Sequence, residues 1–217
     1  MRIPTEPPHT LNGWTYRLRP AQREPARLAL MLHGWTGDEN SMWFFAERMA
    51  SDFTVLLPRA PYPVAEGGYS WREMRPGTWG FPVFEDLRPA AEMLMCFLDD
   101  WKTVSGADFF TFDVVGFSQG GALAYTLGML FPERVRRIAA LAGFLPLGAE
   151  AHLTALAGKE VFIAHGRDDE LVSVERARTA SRILAEVGVR LHYCETEGGH
   201  KVGRECVKAL ERFFANE

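Results

Sequence analysis

The sequence has little of what marks disulfide-rich, membrane-spanning or nucleic-acid-binding proteins. Only three of its 217 residues are cysteine, without C-x-x-C spacing, so the pattern predicts neither a disulfide framework nor a zinc site. No stretch approaches the ~20 consecutive apolar residues that a membrane span needs. Lys and Arg number 24 against 28 Asp and Glu, with no long run of either sign and a net charge of −4. We therefore expect no nucleic-acid partner and no stable membrane association.

The N-terminus also lacks the features of a secretory leader. The residues MRIPTEPPHT are polar and Pro-rich instead of charged and then apolar, so we expect a cytoplasmic protein. Cys96 lies in an apolar run and is predicted to be a buried free thiol, and free thiols are also expected at Cys194 and Cys206. With 47% hydrophobic residues in 217, the chain can form one sizeable core. A single domain over residues 1–217 is the expectation.

Apolar, β-rich segments alternate with longer helical patterns along the chain. This order is typical of an α/β protein with a mostly parallel central sheet and helices on both faces. The predicted strands are residues 14–20 at an edge, then 28–33, 53–58, 110–115, 137–143, 160–165 and 189–195. The predicted helices are residues 40–50, 83–103, 122–131, 174–187 and 201–214.

The segment GFSQG, from Gly116 to Gly120, has the pattern G-x-S-x-G between a predicted strand and a predicted helix. In such a turn the serine stands at the carboxyl edge of the sheet, and glycines flank it because side chains would collide with crowded backbone. A serine hydroxyl is a poor nucleophile at neutral pH and needs a base, which an acid must orient. Ser118 is the candidate nucleophile, and an ordinary Gly-rich turn is the alternative.

In hydrolases whose serine lies on such a turn, the catalytic residues follow one another along the chain in the order serine, acid, histidine. His200 is the best candidate base, because it lies in EGGHK just after the last predicted strand and the glycines let the loop bend back. The other histidines after Ser118 fit less well. His152 lies in a predicted surface helix, His165 at a strand end, where a structural role is expected, and His192 within a strand.

The acid is less well defined by spacing. The segment HGRDDELV follows the predicted strand EVFIAH and carries Asp168, Asp169 and Glu170. These carboxylates lie at the carboxyl end of the sheet, where open α/β sheets bind their ligands. Spacing alone does not choose among the three.

The motifs LHGWTGDEN, GFSQGG, HGRDDELV and GGH, in this order, resemble the phospholipase/carboxylesterase family over residues 28–214. The resemblance implies an α/β-hydrolase fold with a minimal lid or none, acting on an ester-type acyl bond. It implies that the acid is Asp169, the Asp of H-G-x-x-D-x-x-V, with Asp168 as the alternative. Ser173 follows Val172 where the family usually has proline, which is a departure at the acid's turn.

A tetrahedral intermediate needs hydrogen-bond donors for its oxyanion. The backbone N–H of Gln119 is one candidate, because it follows the serine at a helix N-terminus. The resemblance implies that the N–H of Trp35 is the second donor, although the Trp35 side chain is also a candidate for the core. His33 is predicted to be a structural residue rather than a base.

The segment over residues 62–84 has more aromatics and glycines than a simple connector needs. The candidates for an apolar pocket wall are Trp71, Trp79 and Phe81. The same aromatic side chains would serve equally well to cover the sheet. For Arg72 and Arg75 a surface position is expected, and contact with an anionic substrate is the alternative.

The sequence thus predicts a serine hydrolase that cleaves carboxylic esters of small soluble substrates through an acyl-enzyme, without a metal or organic cofactor. Thioester or lysophospholipid hydrolysis is the nearest alternative, because the same groups cleave those bonds, and peptide hydrolysis is a more distant one. A non-catalytic binding protein on the same fold is disfavoured because all three catalytic residue types are present. The sequence leaves a homo-oligomer open.

Overall fold

The computed structural model of the protein describes residues 4–74 and 80–215. Its strands are β1 (His9–Leu11), β2 (Trp14–Arg19), β3 (Arg27–Leu32), β4 (Phe53–Pro58), β5 (Tyr62–Pro63), β6 (Tyr69–Ser70), β7 (Phe112–Phe117), β8 (Val135–Leu141), β9 (Glu160–Gly166) and β10 (Arg190–Thr196). Eight of them form the central sheet of the described residues, in the order β1-β2-β4-β3-β7-β8-β9-β10. All neighbours from β4 to β10 are parallel, whereas β1 and β2 add antiparallel pairs at one edge.

Helices cover both faces of the sheet. They are α1 (Trp43–Ala46), α2 (Phe84–Ser105), α3 (Gln119–Leu130), α4 (Val174–Glu186) and α5 (Arg204–Ala215), with a 3₁₀ helix at Glu150–Leu156. The buried residues of α2, α3 and α4 belong to one apolar cluster and those of α1 and α5 to another, on the opposite face. The predicted α/β architecture, with a mostly parallel sheet between two helical layers, is confirmed.

Two local predictions about the elements are wrong. The strand predicted at an edge is β2, and β1 pairs outside it; three residues are too short to show a period in the sequence. The helix predicted over residues 40–50 is reduced to α1, which spans four residues. Asp38 accepts hydrogen bonds from the Asn40 backbone N–H and the Ser41 hydroxyl, and this side-chain turn replaces the first helical turn.

The loop that follows β3 begins at a buried histidine. The His33 side chain donates from Nδ1 to the Gly34 carbonyl at 2.7 Å, and its Nε2 accepts from the Ala60 N–H at 3.0 Å. Burial lowers the pKa of His33 to about 4, and the hydrogen bond to Gly34 opposes this shift only partly. His33 is therefore a neutral ring that fixes the start of the loop, as its predicted structural role requires.

Cys96 is a free thiol as predicted, but its predicted burial and the free thiols predicted at Cys194 and Cys206 are wrong. Cys194 of β10 and Cys206 of α5 form a disulfide with a Cα–Cα distance of 5.7 Å, which spacing in the sequence did not indicate. Cys96 is exposed rather than buried, because it shares the outer face of α2 with Glu92 and Asp99. Disulfides are more common in oxidising compartments than in the cytosol, and the cytoplasmic location stays a prediction.

The disulfide should stabilise the segment that carries His200, because it closes a loop between residues 12 apart in sequence. We expect the double variant Cys194→Ser/Cys206→Ser to lose about 3 kcal/mol in free energy of unfolding, since the open chain gains entropy when unfolded. Urea unfolding measures this. The exposed Cys96→Ser is the matched control and should change stability by less than about 0.5 kcal/mol. Equal stability of the double variant and the control would contradict the pairing.

The neutral state of His33 predicts a pH dependence of stability. In the unfolded chain the ring takes up a proton near its ordinary pKa of 6.5, but in the folded protein only near pH 4. Lowering the pH through this window therefore favours the unfolded state. Between pH 7 and pH 4 the wild type should lose about 3 kcal/mol more unfolding free energy than His33→Gln. Urea unfolding of both proteins at pH 7, 5.5 and 4 checks this, and parallel curves would rule out the lowered pKa.

Candidate active site

Ser118 lies at the junction of β7 and α3 with an unusual backbone conformation. Its φ is 53° and its ψ is −114°, and its N–H donates to the Leu141 carbonyl of β8 at 2.8 Å. The two flanking glycines are required by space: a Cβ on Gly116 would lie 2.0 Å from the Gly120 carbonyl oxygen, and one on Gly120 would lie 2.2 Å from that of Leu32. The turn thus presents the serine side chain at the carboxyl edge of the sheet.

His200 and Asp169 are brought together by the loops after β10 and β9. His200 Nδ1 donates to Asp169 Oδ2 at 2.7 Å. Asp169 Oδ1 accepts from the N–H groups of Leu171 and Val172, each at 2.9 Å. The Asp169 side chain is completely buried, whereas that of His200 is 18% exposed. Because Nδ1 carries the proton, Nε2 of His200 is left with a lone pair that can accept one.

His200 also lies close to the serine turn. The ring of Phe117, the residue before Ser118, packs against the His200 ring with a centroid distance of 4.9 Å. Ser118 and His200 both line one cavity of about 580 Å³. The predicted serine, histidine and aspartate therefore meet at one end of the sheet, as the chain order suggested.

Asp168 occupies a different position from Asp169. It is exposed, and its Oδ2 accepts from the Gly198 N–H at 3.0 Å, so it supports the loop that carries His200 without contacting the ring. The family departure at Ser173 also has a structural account. The Ser173 hydroxyl accepts from the Glu175 N–H and caps α4.

His165 contributes to the site in a way that the sequence did not indicate. Its side chain is completely buried, its Nε2 donates to the Val172 carbonyl at 2.7 Å, and the same nitrogen lies 3.3 Å from Asp169 Oδ2. His165 therefore has a structural role, as expected, and the part of the structure that it supports is the turn around Asp169. The available signal was spacing, because His165 precedes Asp169 by four residues at the end of a strand.

The two candidate oxyanion donors flank the serine. A Cβ built on Gly34 would lie 3.3 Å from Ser118 Cβ, so the loop that carries Trp35 passes directly beside Ser118. Within the described part of the chain, the backbone N–H groups of Trp35 and Gln119 have no hydrogen-bond acceptor, and both residues line the cavity. The alternative of a core position for the Trp35 side chain is wrong, because that residue is 44% exposed.

Trp71 is part of the core and does not form the cavity wall that was predicted. It is fully buried, and its indole Nε1 donates to the His33 carbonyl at 2.7 Å. Its backbone N–H donates to Gln119 Oε1 at 2.9 Å. Trp71 therefore links the two segments that carry the candidate oxyanion donors. Composition showed an aromatic-rich segment but could not show this hydrogen bonding.

The other predicted pocket residues divide into two groups. Phe81 lines the cavity, whereas Trp79 and Arg75 lie outside the described residues. Arg72 is not a surface arginine: it is 5% exposed, lines the cavity, and donates to Asp86 Oδ2 at 3.1 Å and to the Gly80 carbonyl at 2.7 Å. Most of the cavity wall is apolar, with Phe144 and Leu171 also contributing.

Residues 4–74 and 80–215 contain neither a metal site nor a membrane-spanning helix. In these ranges no group of three or more His, Cys, Asp or Glu side chains is arranged to hold a metal ion. No helix there is long and apolar enough to cross a membrane.

Comparison with solved structures identifies the fold. The carboxylesterase from Bacillus cereus superposes with a TM-score of 0.81 at 21% identity, over 93% of each chain. A carboxylesterase from Mesorhizobium loti superposes with a TM-score of 0.78 at 23% identity, over 100% of this chain and 99% of the other. Both similarities extend over nearly the whole molecule, so the α/β-hydrolase fold is shared.

Sequence comparison identifies the family. The Arabidopsis thaliana carboxylesterase SOBER1 is 28% identical over 181 residues, which are 78% of this chain and 79% of that protein. A probable SOBER1-like carboxylesterase from the same plant is 28% identical over 170 residues, and the match spans 73% of this chain but 65% of that protein. The family model described as Phospholipase/Carboxylesterase matches residues 17–216. The chain therefore belongs to the phospholipase/carboxylesterase family of carboxylic-ester hydrolases.

Proposed function

We propose that this protein hydrolyses carboxylic esters of small soluble substrates through an acyl-enzyme formed on Ser118. The observation that carries the proposal is the 2.7 Å hydrogen bond between His200 Nδ1 and the buried Asp169 carboxylate, beside a cavity that Ser118 lines. An imidazole oriented by a carboxylate, next to a serine on a strained turn, is the arrangement that general-base activation of a hydroxyl needs.

In the acylation step, Ser118 Oγ attacks the ester carbonyl carbon while His200 Nε2 takes up the hydroxyl proton. The carbonyl oxygen becomes negatively charged and accepts hydrogen bonds from the N–H groups of Gln119 and Trp35. Collapse of this intermediate breaks the bond to the alcohol, which leaves with the proton from His200. The acyl group remains on Ser118 as an ester, and Asp169 stabilises the transient imidazolium throughout.

Deacylation repeats these roles with water. A water molecule gives one proton to His200 Nε2 and attacks the acyl carbon, and the second tetrahedral intermediate is held by the same two donors. When it collapses, the carboxylic acid leaves and Ser118 recovers its proton from His200. These steps require neither a metal nor an organic cofactor. The cavity volume of about 580 Å³ is in the range of small-molecule sites.

Hydrolysis of thioesters or lysophospholipids is the second candidate. Large apolar side chains at the cavity support it, because Trp35 is 44% exposed and Leu171 is 69% exposed. Such residues would suit an acyl chain longer than the cavity holds. A binding protein without catalysis fits the arrangement less well, because such a protein has no need for an oriented histidine beside a serine.

Hydrolysis of a 4-nitrophenyl ester series from two-carbon to long acyl chains tests the function. We expect short esters to turn over fastest and Ser118→Ala to lower kcat by about 10⁴-fold or more, because the nucleophile is removed. A fluorophosphonate label located by mass spectrometry should modify Ser118 of the wild type. Fastest turnover of long chains would favour the lipid alternative, and wild-type rates in Ser118→Ala would reject the proposed nucleophile.

The two adjacent aspartates provide a matched pair for the acid. Asp169→Asn should lower kcat by about 10³- to 10⁴-fold, because the amide neither fixes the Nδ1–H tautomer nor stabilises the imidazolium. Asp168→Asn removes the same charge one residue away and should lower kcat by less than about fivefold, because its contact is with loop backbone. Steady-state kinetics of both variants, after circular dichroism has verified their folds, decides the matter. The reverse ranking would assign the acid to Asp168.

A further inference from the structure

Arg176 of α4 is held against the aromatic wall of the cavity. Its guanidinium carbon lies 3.8 Å from the centroid of the Phe81 ring and 5.7 Å from that of Phe144. The two rings pack edge to face with centroids 4.8 Å apart, and both line the cavity that contains Ser118. The Arg176 charge is thus fixed beside the candidate active site by stacking on residues that a substrate would contact.

The Arg176 side chain makes no ion pair or hydrogen bond within the described residues. Neighbouring arginines of the same helix differ: Arg178 pairs with Glu175 and Glu195, and Arg182 donates to Thr179. Stacking occupies the flat face of a guanidinium and leaves its N–H edge available to an anion. The N–H edge of Arg176 can therefore donate to a carboxylate or phosphate oxygen without breaking an existing contact.

The charges around the cavity point in the same direction. Although the protein has a net charge of −4, no Asp or Glu of residues 4–74 or 80–215 lines the cavity. The ionisable side chains among its described lining residues are Arg72 and His200. Arg72 is balanced by Asp86, so Arg176 supplies the additional positive charge near Phe81. A negative group on a substrate meets no carboxylate among the described residues of the cavity. Glu150 and Glu175 share a separate groove with Arg176, and Glu175 is paired there with Arg178.

The geometry points to a substrate that carries an anionic group several bonds away from the scissile ester, and to Arg176 as the residue that binds that group. This inference rests on the proposed ester hydrolysis at Ser118 and adds the chemical class of its substrate. The reacting carbonyl lies at Ser118, the apolar part of the substrate crosses Phe81, and the anion reaches the guanidinium edge. Carboxylate and phosphate share this chemistry.

Matched 4-nitrophenyl esters test the inference. Their acyl chain has five to ten carbons and ends in a carboxylate, a phosphonate or a neutral primary amide. A second series of alkyl esters, followed by acid release, carries the carboxylate or the neutral amide on the alcohol. At the best length, the wild type should show a kcat/KM about tenfold higher for an anionic ester than for its amide. Added NaCl should reduce this ratio, because the contact is partly exposed. The anion that gives the higher kcat/KM, carboxylate or phosphonate, shows whether the natural substrate carries a carboxylate or a phosphate.

Variants of α4 assign the effect to Arg176. In Arg176→Gln the ratio of kcat/KM for the anionic ester to that for the amide-ended ester should fall to about one. Arg176→Lys should keep part of this ratio, because the charge remains without the planar guanidinium. Arg182→Gln makes the same change of charge on an exposed residue of that helix and should keep the wild-type ratio. An equal loss on anionic and neutral esters in Arg176→Gln would mean that Arg176 only supports the wall, which overturns the inference.

The neutral amide esters separate this inference from the proposed function. If the wild type cleaves them and Ser118→Ala does not, ester hydrolysis at Ser118 stands whatever the anion does. The absence of any anion preference in both series would then overturn the Arg176 assignment alone. If Ser118→Ala cleaves the neutral esters as fast as the wild type, the proposed function itself fails.

Discussion

Close contact between backbone segments around Ser118 determines the rest of the site. The Gly120 Cα lies so near β3 that a Cβ would meet the Leu32 carbonyl at 2.2 Å, and a Cβ on Gly121 or on Gly143 would lie 3.1 Å from the Cα of the other. Such spacing fixes the ends of β3, β7 and β8 against the start of α3. A positive φ at Ser118 costs about 1–3 kcal/mol, and the surrounding contacts must maintain it. The serine is therefore oriented by backbone packing before any substrate arrives.

Buried hydrogen bonds extend this rigidity to the oxyanion donors. The His33 ring, the His33 carbonyl and the Gln119 side chain are all satisfied, two of them by Trp71. Leaving any of these groups unpaired would cost about 1–3 kcal/mol, so the loop with Trp35 has little freedom relative to α3. Donors held in place in this way need no reorganisation when the oxyanion forms, which is the condition for efficient electrostatic stabilisation.

The sequence predicted what local rules determine. The alternating apolar and helical patterns gave the architecture, and the turn chemistry of G-x-S-x-G singled out Ser118. The resemblance was needed to prefer Asp169 over Asp168, because their spacing is equivalent and only tertiary contacts separate them. Three features depend on how distant segments pack together: the disulfide between Cys194 and Cys206, the exposure of Cys96 and the burial of Trp71. Neither hydrophobic periodicity nor a short motif contains that information. Two further expectations stay predictions: the single-domain organisation and the cytoplasmic location. The sequence leaves a homo-oligomer open.

The location of negative charge reconciles two demands on the site. The proposed mechanism needs the Asp169 carboxylate close to His200, yet a carboxylate that faced the cavity would repel both the developing oxyanion and any anionic substrate. The structure surrounds Asp169 with donors from Leu171, Val172 and His200, and with the His165 ring 3.3 Å from Oδ2, so its charge acts on the His200 imidazole rather than on the cavity. No described residue that lines the cavity is then an Asp or a Glu. The same enclosure that orients the base therefore leaves room for Arg176 to select an anionic substrate.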